Sequence, residues 1–162
     1  MHPLADAQLL VLVTIANGTP VIAKWLLGSR FAPPLDFGLG FVDGRPLLGP
    51  SKTVRGVVLA VLATAASAPV VGLEWQTGIV LAAAAMAGDL LSSFVKRRMG
   101  LASSSMAVGL DQVPESLLPA LACQSVLSLT LADIAACVAI FGVGELVCSR
   151  LLFKLRIRDR PY

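Results

Sequence analysis

The sequence has few of the side chains on which most enzyme active sites are built. Its 162 residues include a single histidine, His2, near the beginning of the chain. Catalysis by a serine or cysteine nucleophile with a histidine base is therefore not expected, and neither is a zinc site built on histidine. The three cysteines form no CxxC motif, and their odd number argues against a disulfide framework. We expect Cys123, Cys137 and Cys148 to have packing roles.

Charge is scarce as well. Charged residues make up only 14% of the chain and hydrophobic residues 56%, and the mean hydropathy is +0.81. Soluble domains contain about 45–50% apolar residues, so this composition excludes a soluble globular protein and indicates an integral membrane protein. At about 20 apolar residues for each crossing, the length allows one bundle. We predict an all-α, polytopic membrane helical bundle that forms a single domain over residues 1–162.

Five apolar segments are predicted to cross the membrane. They lie at about Ala5–Leu27, Val54–Leu73, Trp75–Met99, Pro114–Leu129 and Ile134–Leu155. The first segment lacks a basic leader and a small-residue cleavage site, so we interpret it as a retained span rather than as a signal peptide. Two loops, at about residues 28–55 and 100–113, connect the spans on one side.

The first span contains Pro20, shortly after Asn17. Proline removes a backbone hydrogen bond and collides with the carbonyl group of the preceding turn, so we expect the helix to kink or break near Asn17. The freed polar backbone would form either a structural kink or a notch that lines a substrate site. On the second interpretation, Asn17 is a candidate substrate-binding residue.

Basic residues are absent from one side of the predicted bundle. All 13 Lys and Arg residues flank the first loop, the second loop or the C-terminus. With five spans, these regions lie on one side, and the N-terminus and the turns near Glu74 and Asp133 lie on the other. Because cytoplasmic regions are enriched in Lys and Arg, we predict a cell (inner) membrane protein with its N-terminus outside and its two loops and C-terminus in the cytoplasm.

Asp89 is an ionisable residue within an apolar run. Insertion of such a group into a membrane costs about 2.5–3.5 kcal/mol, so a function is the default interpretation. At about 100° per residue, Ser92, Ser93 and Lys96 lie on the same helical face as Asp89, and Arg98 points the other way. The alternative is a buried ion pair of Asp89 with Lys96 or with the neighbouring arginine, Arg97, that only locks helices together.

A second polar segment, residues 49–56, leads directly into the second span. It places Ser51, Thr53 and free backbone amides at a helix N-terminus beside Lys52 and Arg55. Helix N-termini of this kind bind phosphate groups. A capping hydroxyl followed by Lys and Arg side chains that reach the membrane interface would give the same pattern, so the segment alone leaves both interpretations open.

Four ordered motifs resemble those of one enzyme family. They are Gly88-Asp-Leu-x-x-Ser-x-x-Lys-Arg, Lys52-Thr-Val-Arg-Gly, Leu110-Asp-Gln and the Arg-Pro-aromatic ending. The motifs are spread over nearly the whole chain. Through them the chain resembles the CDP-archaeol synthases, which are small relatives of the membrane CTP:phosphatidate cytidylyltransferases (CDP-diacylglycerol synthases). The resemblance implies transfer of CMP from CTP to a membrane lipid phosphate, giving a CDP-lipid and pyrophosphate, with one or two Mg²⁺ ions. It implies CTP, the lipid phosphate and the lipid bilayer as partners, no nucleic acid, and leaves open a homo-oligomer.

The resemblance also implies the roles of individual residues. Asp89 and Asp111 fall on metal-binding, catalytic carboxylates, and Lys96 falls on a catalytic cation. The polar positions around the nucleotide and phosphates are occupied by Lys52, Thr53, Arg55, Ser93 and Arg97. Where the family commonly has a second aspartate after Asp111, this chain has Pro114, and the following Glu115 is the candidate third metal ligand. The loop before Asp111 lacks the Pro-Gly-His-Gly-Gly run of the diacylglycerol enzymes, so the identity of the lipid is not implied.

The chemistry of the implied reaction agrees with the shortage of histidine. A phosphate monoester, whose second pKa is about 6, is mostly ionised at neutral pH, so its oxygen attacks without a general base. The reaction instead requires neutralisation of two polyanions, which carboxylate-bound Mg²⁺ with Lys and Arg side chains supplies. Two other functions remain open: a non-catalytic membrane scaffold, and a small ion-coupled transporter that uses the intramembrane Asp89 as a relay.

Overall fold

The computed structural model describes residues 2–157, and over that range the protein is a bundle of helices. The helices are α1 (Pro3–Leu27), α2 (Val54–Ser67), α3 (Trp75–Arg98), α4 (Gln112–Ala122), α5 (Gln124–Leu127) and α6 (Leu131–Lys154), and a 3-10 turn at Ala68–Val71 extends α2. Within the described range, the backbone forms isolated bridges but no strand. The predicted all-α fold is confirmed. Arg158, Arg160 and the Arg-Pro-Tyr ending lie outside the described residues.

Four of the described helical segments are long and apolar enough to cross a membrane. They are Pro3–Leu27, Val54–Val71, Trp75–Arg98 and Leu131–Lys154, with mean hydropathies between 1.6 and 2.0. They correspond to the first, second, third and fifth predicted spans. Large apolar side chains are exposed along these helices, as lipid-facing surfaces require. The protein is therefore integral to the membrane.

The fourth predicted span, Pro114–Leu129, is not a single long helix. It consists of α4, which begins earlier than predicted, at Gln112, and of the short α5, which ends at Ser128 in left-handed backbone (φ 52°). The helix is interrupted at Cys123, and α4 buries polar side chains, among them Glu115 and Ser116, inside the bundle. The span was predicted as one uniform crossing, and that prediction is wrong.

The two short helices nevertheless carry the chain from one end of the bundle to the other. The loop before α4 is held at the end of α3, where the Ser92 hydroxyl donates to the Leu110 carbonyl at 2.8 Å. The start of α6 lies beside the start of α1, where the His2 backbone N–H donates to Asp133 Oδ1 at 3.2 Å. The chain therefore crosses the bundle five times, and α4 with α5 forms the fourth crossing.

Helix α1 is continuous through Pro20. The predicted break near Asn17 does not occur, and the Asn17 side chain donates to the Val13 carbonyl of its own helix at 3.1 Å. The proline ring instead faces α2, because a Cβ atom built on Gly56 would lie 3.3 Å from Pro20 Cβ. Glycine at that position lets the N-terminal end of α2 approach α1 closely.

Small and large apolar side chains form two cores. The larger core contains residues of α1, α3, α4 and α6, including Leu9, Leu12, Leu81, Cys137 and Phe141. A smaller core of Ala16, Ala82 and Ala85 packs with Val61 and brings α1, α2 and α3 together. Of the three cysteines predicted to pack, Cys123 and Cys137 are buried, whereas Cys148 is exposed.

The first and second loops lie at the same end of the bundle and contact each other. The Ser103 hydroxyl of the second loop donates to the Ser51 hydroxyl of the first at 3.0 Å. The Arg45 guanidinium of the first loop donates to the Arg97 and Arg98 carbonyls at the end of α3. The prediction that the two loops share one side is confirmed, and its assignment to the cytoplasm stays a prediction.

Candidate active site

The intramembrane acid Asp89 forms an ion pair with Lys52. The Lys52 ammonium lies 2.5 Å from Asp89 Oδ1, and each side chain is about one fifth exposed (20% and 21%). Lys52 reaches α3 because α2 begins directly after it, where the Thr53 hydroxyl accepts the Gly56 N–H at 3.1 Å. The alternative prediction, an ion pair of Asp89 with Lys96 or Arg97, is therefore wrong.

The positive charge of Lys52 is stabilised by the acidic side chains around it. Burial alone would lower the pKa of the Lys52 ammonium, but the carboxylates of Asp89 and Glu115 outweigh burial and raise it above its ordinary value. Lys52 is therefore a permanent cation beside two acids. A substrate phosphate that reached this point would meet a charged lysine at any physiological pH.

Glu115 contacts Asp89 because α3 and α4 touch at a glycine. A Cβ atom on Gly88 would collide with the Pro114 carbonyl group and would lie 2.8 Å from the Glu115 nitrogen. The absence of a side chain at Gly88 thus lets α4 approach α3 closely enough to bring the Glu115 and Asp89 carboxyl groups side by side. Two adjoining carboxyl groups in a buried site need a shared proton or a nearby cation.

A second ion pair, Lys96 with Asp111, lies two helical turns further along α3. Lys96 Nζ is 2.6 Å from Asp111 Oδ1 and also donates to the Ser105 carbonyl at 2.9 Å. The second carboxylate oxygen of Asp111 accepts the Ala107 N–H at 2.8 Å. Asp111 is therefore committed to Lys96 and to its own loop, and it remains within electrostatic range of Lys52.

Arg97 is a buried cation that faces a cleft. Its side chain is 5% exposed, one guanidinium nitrogen donates to the Ala102 carbonyl at 2.9 Å, and Nε has no hydrogen-bond partner among the described residues. No carboxylate of residues 2–157 lies within ion-pair distance of it. A buried guanidinium without a paired acid is suited to an anion.

The cleft lies between the two loops and has a volume of about 340 Å³. Its lining combines two guanidinium groups, backbone of both loops and a hydroxyl, contributed by Arg45, Pro46, Gly49, Pro50, Arg97, Gly100, Leu101, Ala102 and Ser103. Gly49 has left-handed backbone (φ 94°), and a Cβ there would lie 3.3 Å from Arg97 Nη1. Glycine thus keeps the entrance to the arginine open.

A smaller cavity is lined by the next residues of the same loop segment, Ser51 and Lys52. Its volume is about 50 Å³, and its walls are formed by Pro20, Ser51, Lys52, Thr53, Gly56, Val57, Met86, Asp89 and Leu90. The lining combines polar residues, such as Lys52 and Asp89, with apolar residues of α1, α2 and α3. The Lys52–Asp89 pair lines only the small cavity, and the loop cleft is linked to it by the chain segment that runs from Gly49 and Pro50 to Ser51 and Lys52.

Asp36 organises the first loop, and the sequence analysis did not single it out. Its buried carboxylate accepts backbone N–H groups from Gly38, Leu48 and Gly49 at 2.9 to 3.1 Å. Burial would raise the pKa of Asp36, but these amide donors outweigh burial and lower it. The Asp-x-Gly spacing at residues 36–38 is a signal for such a turn, although the bonds to Leu48 and Gly49 depend on the folded loop.

Comparisons with known proteins show the family and the fold of this chain. A family model described as "CarS-like: CDP-archaeol synthase" matches residues 9–75 and 62–162. The chain belongs to the CDP-archaeol synthase family. A CDP-archaeol synthase of Sulfurisphaera tokodaii is 34% identical over 91% of this chain and 89% of its own length. One from Pyrobaculum calidifontis is 35% identical over 91% of each chain.

A solved structure has the same fold as the present chain, the CDP-archaeol synthase family member described above. It is described as "Structural insight into an intramembrane enzyme for archaeal membrane lipids biosynthesis" and aligns with a TM-score of 0.76 at 29% identity, over 87% of this chain and 90% of that chain. Family membership makes the protein a CTP-dependent cytidylyltransferase of the membrane, so the scaffold and transporter alternatives are wrong.

The structure brings two of the three predicted metal ligands of this cytidylyltransferase together. Asp89 and Glu115 adjoin, whereas Asp111 is paired with Lys96. Among residues 2–157, no group of three His, Cys, Asp or Glu side chains is close enough to hold a metal ion. Two carboxylates nevertheless fit Mg²⁺, which binds one or two protein carboxylates and completes its shell with waters and substrate phosphates.

The predicted substrate-binding residues divide into two groups. Lys52, Thr53 and Arg97 line one of the two cavities. Arg55 does not, because its guanidinium donates to the Gly28 and Arg30 carbonyls and ties down the first loop. Ser93 and Asn17 line neither cavity either: Ser93 is buried on α3, and Asn17 bonds within α1.

Proposed function

We propose that this enzyme transfers CMP from CTP to an archaeol-type lipid phosphate, forming a CDP-lipid and releasing pyrophosphate. The curated relatives are named CDP-archaeol synthases, which supports an archaeol lipid as the acceptor. One observation carries the proposal: a single loop segment, residues 49–52, lines a cleft with a buried, unpaired arginine and, through Lys52, joins a cluster of one lysine and two acids. We further propose that this end of the bundle faces the cytoplasm, where CTP is available.

The loop cleft is the proposed site of the nucleotide. Its volume of about 340 Å³ lies at the lower end of the range for small-molecule sites. A triphosphate is a polyanion, and the cleft offers the guanidinium groups of Arg97 and Arg45 with the Ser103 hydroxyl. Of the two arginines, Arg97 is expected to contribute more to nucleotide binding. It is buried without a paired carboxylate, and a bound phosphate would supply the missing negative charge.

The small cavity beside Asp89 is the proposed site of the lipid phosphate. Its lining combines the polar residues Lys52 and Ser51 with the apolar residues Val57 and Leu90, which lie on membrane-spanning helices. A lipid phosphate has the same division into a charged group and a hydrocarbon. Lys52 would hold the phosphate oxygens, and the hydrocarbon chains would remain on the bilayer side.

The proposed reaction is a direct displacement at the α-phosphorus of CTP. A lipid phosphate oxygen forms a bond to that phosphorus, the bond between the α- and β-phosphates breaks, and pyrophosphate leaves. No proton transfer is needed, because the attacking monoester is already mostly ionised near neutral pH. Lys52 orients the attacking phosphate, and Arg97 neutralises the charge that develops on the leaving group. Asp89 and Glu115 would hold Mg²⁺, which supplies further neutralisation of phosphate charge.

The proposal is tested with purified protein in lipid nanodiscs, CTP, Mg²⁺ and a panel of archaeol, diacylglycerol and polyprenyl phosphates. We expect pyrophosphate and a CDP-lipid in equal amounts, with archaeol phosphate the best acceptor. Arg97→Gln should lose most turnover, and Arg30→Gln, on an exposed loop position, is the matched control. Preference for another lipid phosphate would contradict the proposal that an archaeol-type lipid is the acceptor. Binding of CTP without any pyrophosphate would overturn the reaction.

A further inference from the structure

The first loop carries large apolar side chains that the protein leaves uncovered. Val42 is 94% exposed, Phe31 84%, Phe37 75% and Leu39 62%. We call these four residues the apolar rim. They lie outside the membrane-spanning helices, on a segment that also contains charged and turn-forming residues. Exposed groups of large apolar side chains mark surfaces that contact another apolar phase.

The first half of this loop is tied to the ends of α1 and α2. The Arg55 guanidinium donates to the Gly28 carbonyl at 3.0 Å, and the Val54 N–H donates to the Pro33 carbonyl at 3.1 Å. Both donors belong to the first turn of a membrane-spanning helix. Phe31, between the two attachment points, is therefore held at the depth where the helices leave the membrane.

The second half is tied to the end of α3. The rings of Phe41 and Phe94 pack edge to face with centroids 5.4 Å apart, and Arg98 forms an ion pair with Asp43 at 2.5 Å. The Arg98 guanidinium also lies over the Phe41 ring, 4.7 Å from its centroid. The second half of the loop is therefore held against the end of α3, and Leu39 and Val42 flank the attached Phe41.

The apolar rim continues a surface that already faces lipid. The last turn of α1 exposes Trp25 and Leu26, and the exposed Arg30 follows directly before Phe31. Aromatic side chains at the membrane boundary beside basic residues are the usual composition of an interfacial segment. Phe31 and Phe37 also have left-handed backbone (φ 52° and 48°), which is unfavourable for residues with a Cβ. Both rings are exposed, so packing inside the protein does not offset this cost.

We propose that the apolar rim is embedded in the boundary between headgroups and acyl chains of the membrane leaflet on the loop side. The occupant of this surface is the bilayer itself. The first loop is then a membrane-anchored cover over the helix ends rather than a free aqueous loop. This inference does not depend on the proposed reaction, because it rests only on the loop geometry and on the bundle crossing the membrane.

The test uses a single fluorescent residue in nanodiscs. Both native tryptophans, Trp25 and Trp75, are replaced by Phe, and Phe37→Trp or Phe31→Trp is introduced in separate variants. Ser104→Trp, at an exposed polar position of the second loop, is the aqueous control. Emission is recorded in nanodiscs with lipids brominated near the headgroup and, separately, with iodide in the buffer.

We expect both rim tryptophans to lose emission in brominated lipid and to resist iodide, with the opposite pattern at Ser104→Trp. Quenching of both rim variants by iodide alone would overturn the proposal, because the loop would then be aqueous. Protection from both quenchers would also overturn it and would point to a protein partner, such as a second copy of the chain. Two independent rim positions keep the test decisive if one variant fails to fold.

Discussion

The contact between Gly88 and Pro114 predicts the effect of a single methyl group. In Gly88→Ala, the added Cβ would collide with the Pro114 carbonyl and approach the Glu115 nitrogen to 2.8 Å, and both are backbone atoms that cannot rotate away. Overpacking of this kind costs about 1–3 kcal/mol. The helices must separate to relieve it, and Glu115 then moves away from Asp89.

Gly144→Ala is the matched control. Gly144 is also helical, and a Cβ there meets no atom within 4 Å. Both variants gain about 1 kcal/mol of helix propensity, so the difference between them isolates the packing effect at Gly88. At about 2–4 °C per kcal/mol, we expect Gly88→Ala to unfold several degrees below Gly144→Ala.

The assays are thermal unfolding in detergent and a Mg²⁺ titration of CMP transfer. Gly88→Ala should lower the unfolding temperature and raise the Mg²⁺ concentration for half-maximal rate, whereas Gly144→Ala should leave the Mg²⁺ dependence unchanged. If the two variants had the same stability and the same Mg²⁺ dependence, the close contact between α3 and α4 would not be what positions Glu115, and the reasoning would fail.

Three further predictions follow from the site and the loops. Asp89→Asn keeps the side-chain shape but removes its charge, so turnover should be lost while size-exclusion and unfolding profiles stay normal; full activity would contradict the assigned role. Arg98→Gln loses the ion pair to Asp43, so proteolysis of the first loop should accelerate and the KM for CTP should rise; unchanged proteolysis would mean that the loop is held elsewhere. In a cysteine-free background, thiols introduced by Leu47→Cys or Ser104→Cys should resist an impermeant reagent applied to intact cells, and labelling from outside would reverse the topology.

The sequence predicted the acids of the site better than their partners. Asp89 stands out because an ionisable group in an apolar run is costly, and Glu115 because Pro114 indicates a helix start near the second loop. The ion pair to Lys52 was not predicted, since a helical wheel orders only the residues of one helix. It places Lys96 on the face of Asp89, but the packing of α2 against α3 decides which lysine reaches that carboxylate.

Loop structure was the least predictable part. Asp36 and Arg45 lie in a Gly- and Pro-rich segment without periodicity, and their roles depend on backbone groups that folding brings together. The sequence placed Arg98 only on the helical face opposite Asp89, because its contacts with Phe41 and Asp43 join residues more than fifty positions apart. The fourth span was misjudged because hydropathy does not register a polar face buried inside the bundle.

The most direct test of the account is a Mg²⁺ titration of CMP transfer by Glu115→Gln beside the unaltered enzyme. Glu115, through its contact with Asp89, belongs to the pair of carboxylates that we propose holds the metal. Glutamine keeps the size of the side chain and removes its charge, so turnover should fall and the Mg²⁺ concentration for half-maximal rate should rise about 10–100-fold. A near-normal rate with an unchanged midpoint would mean that the Asp89–Glu115 pair does not hold the metal, and would contradict the central claim.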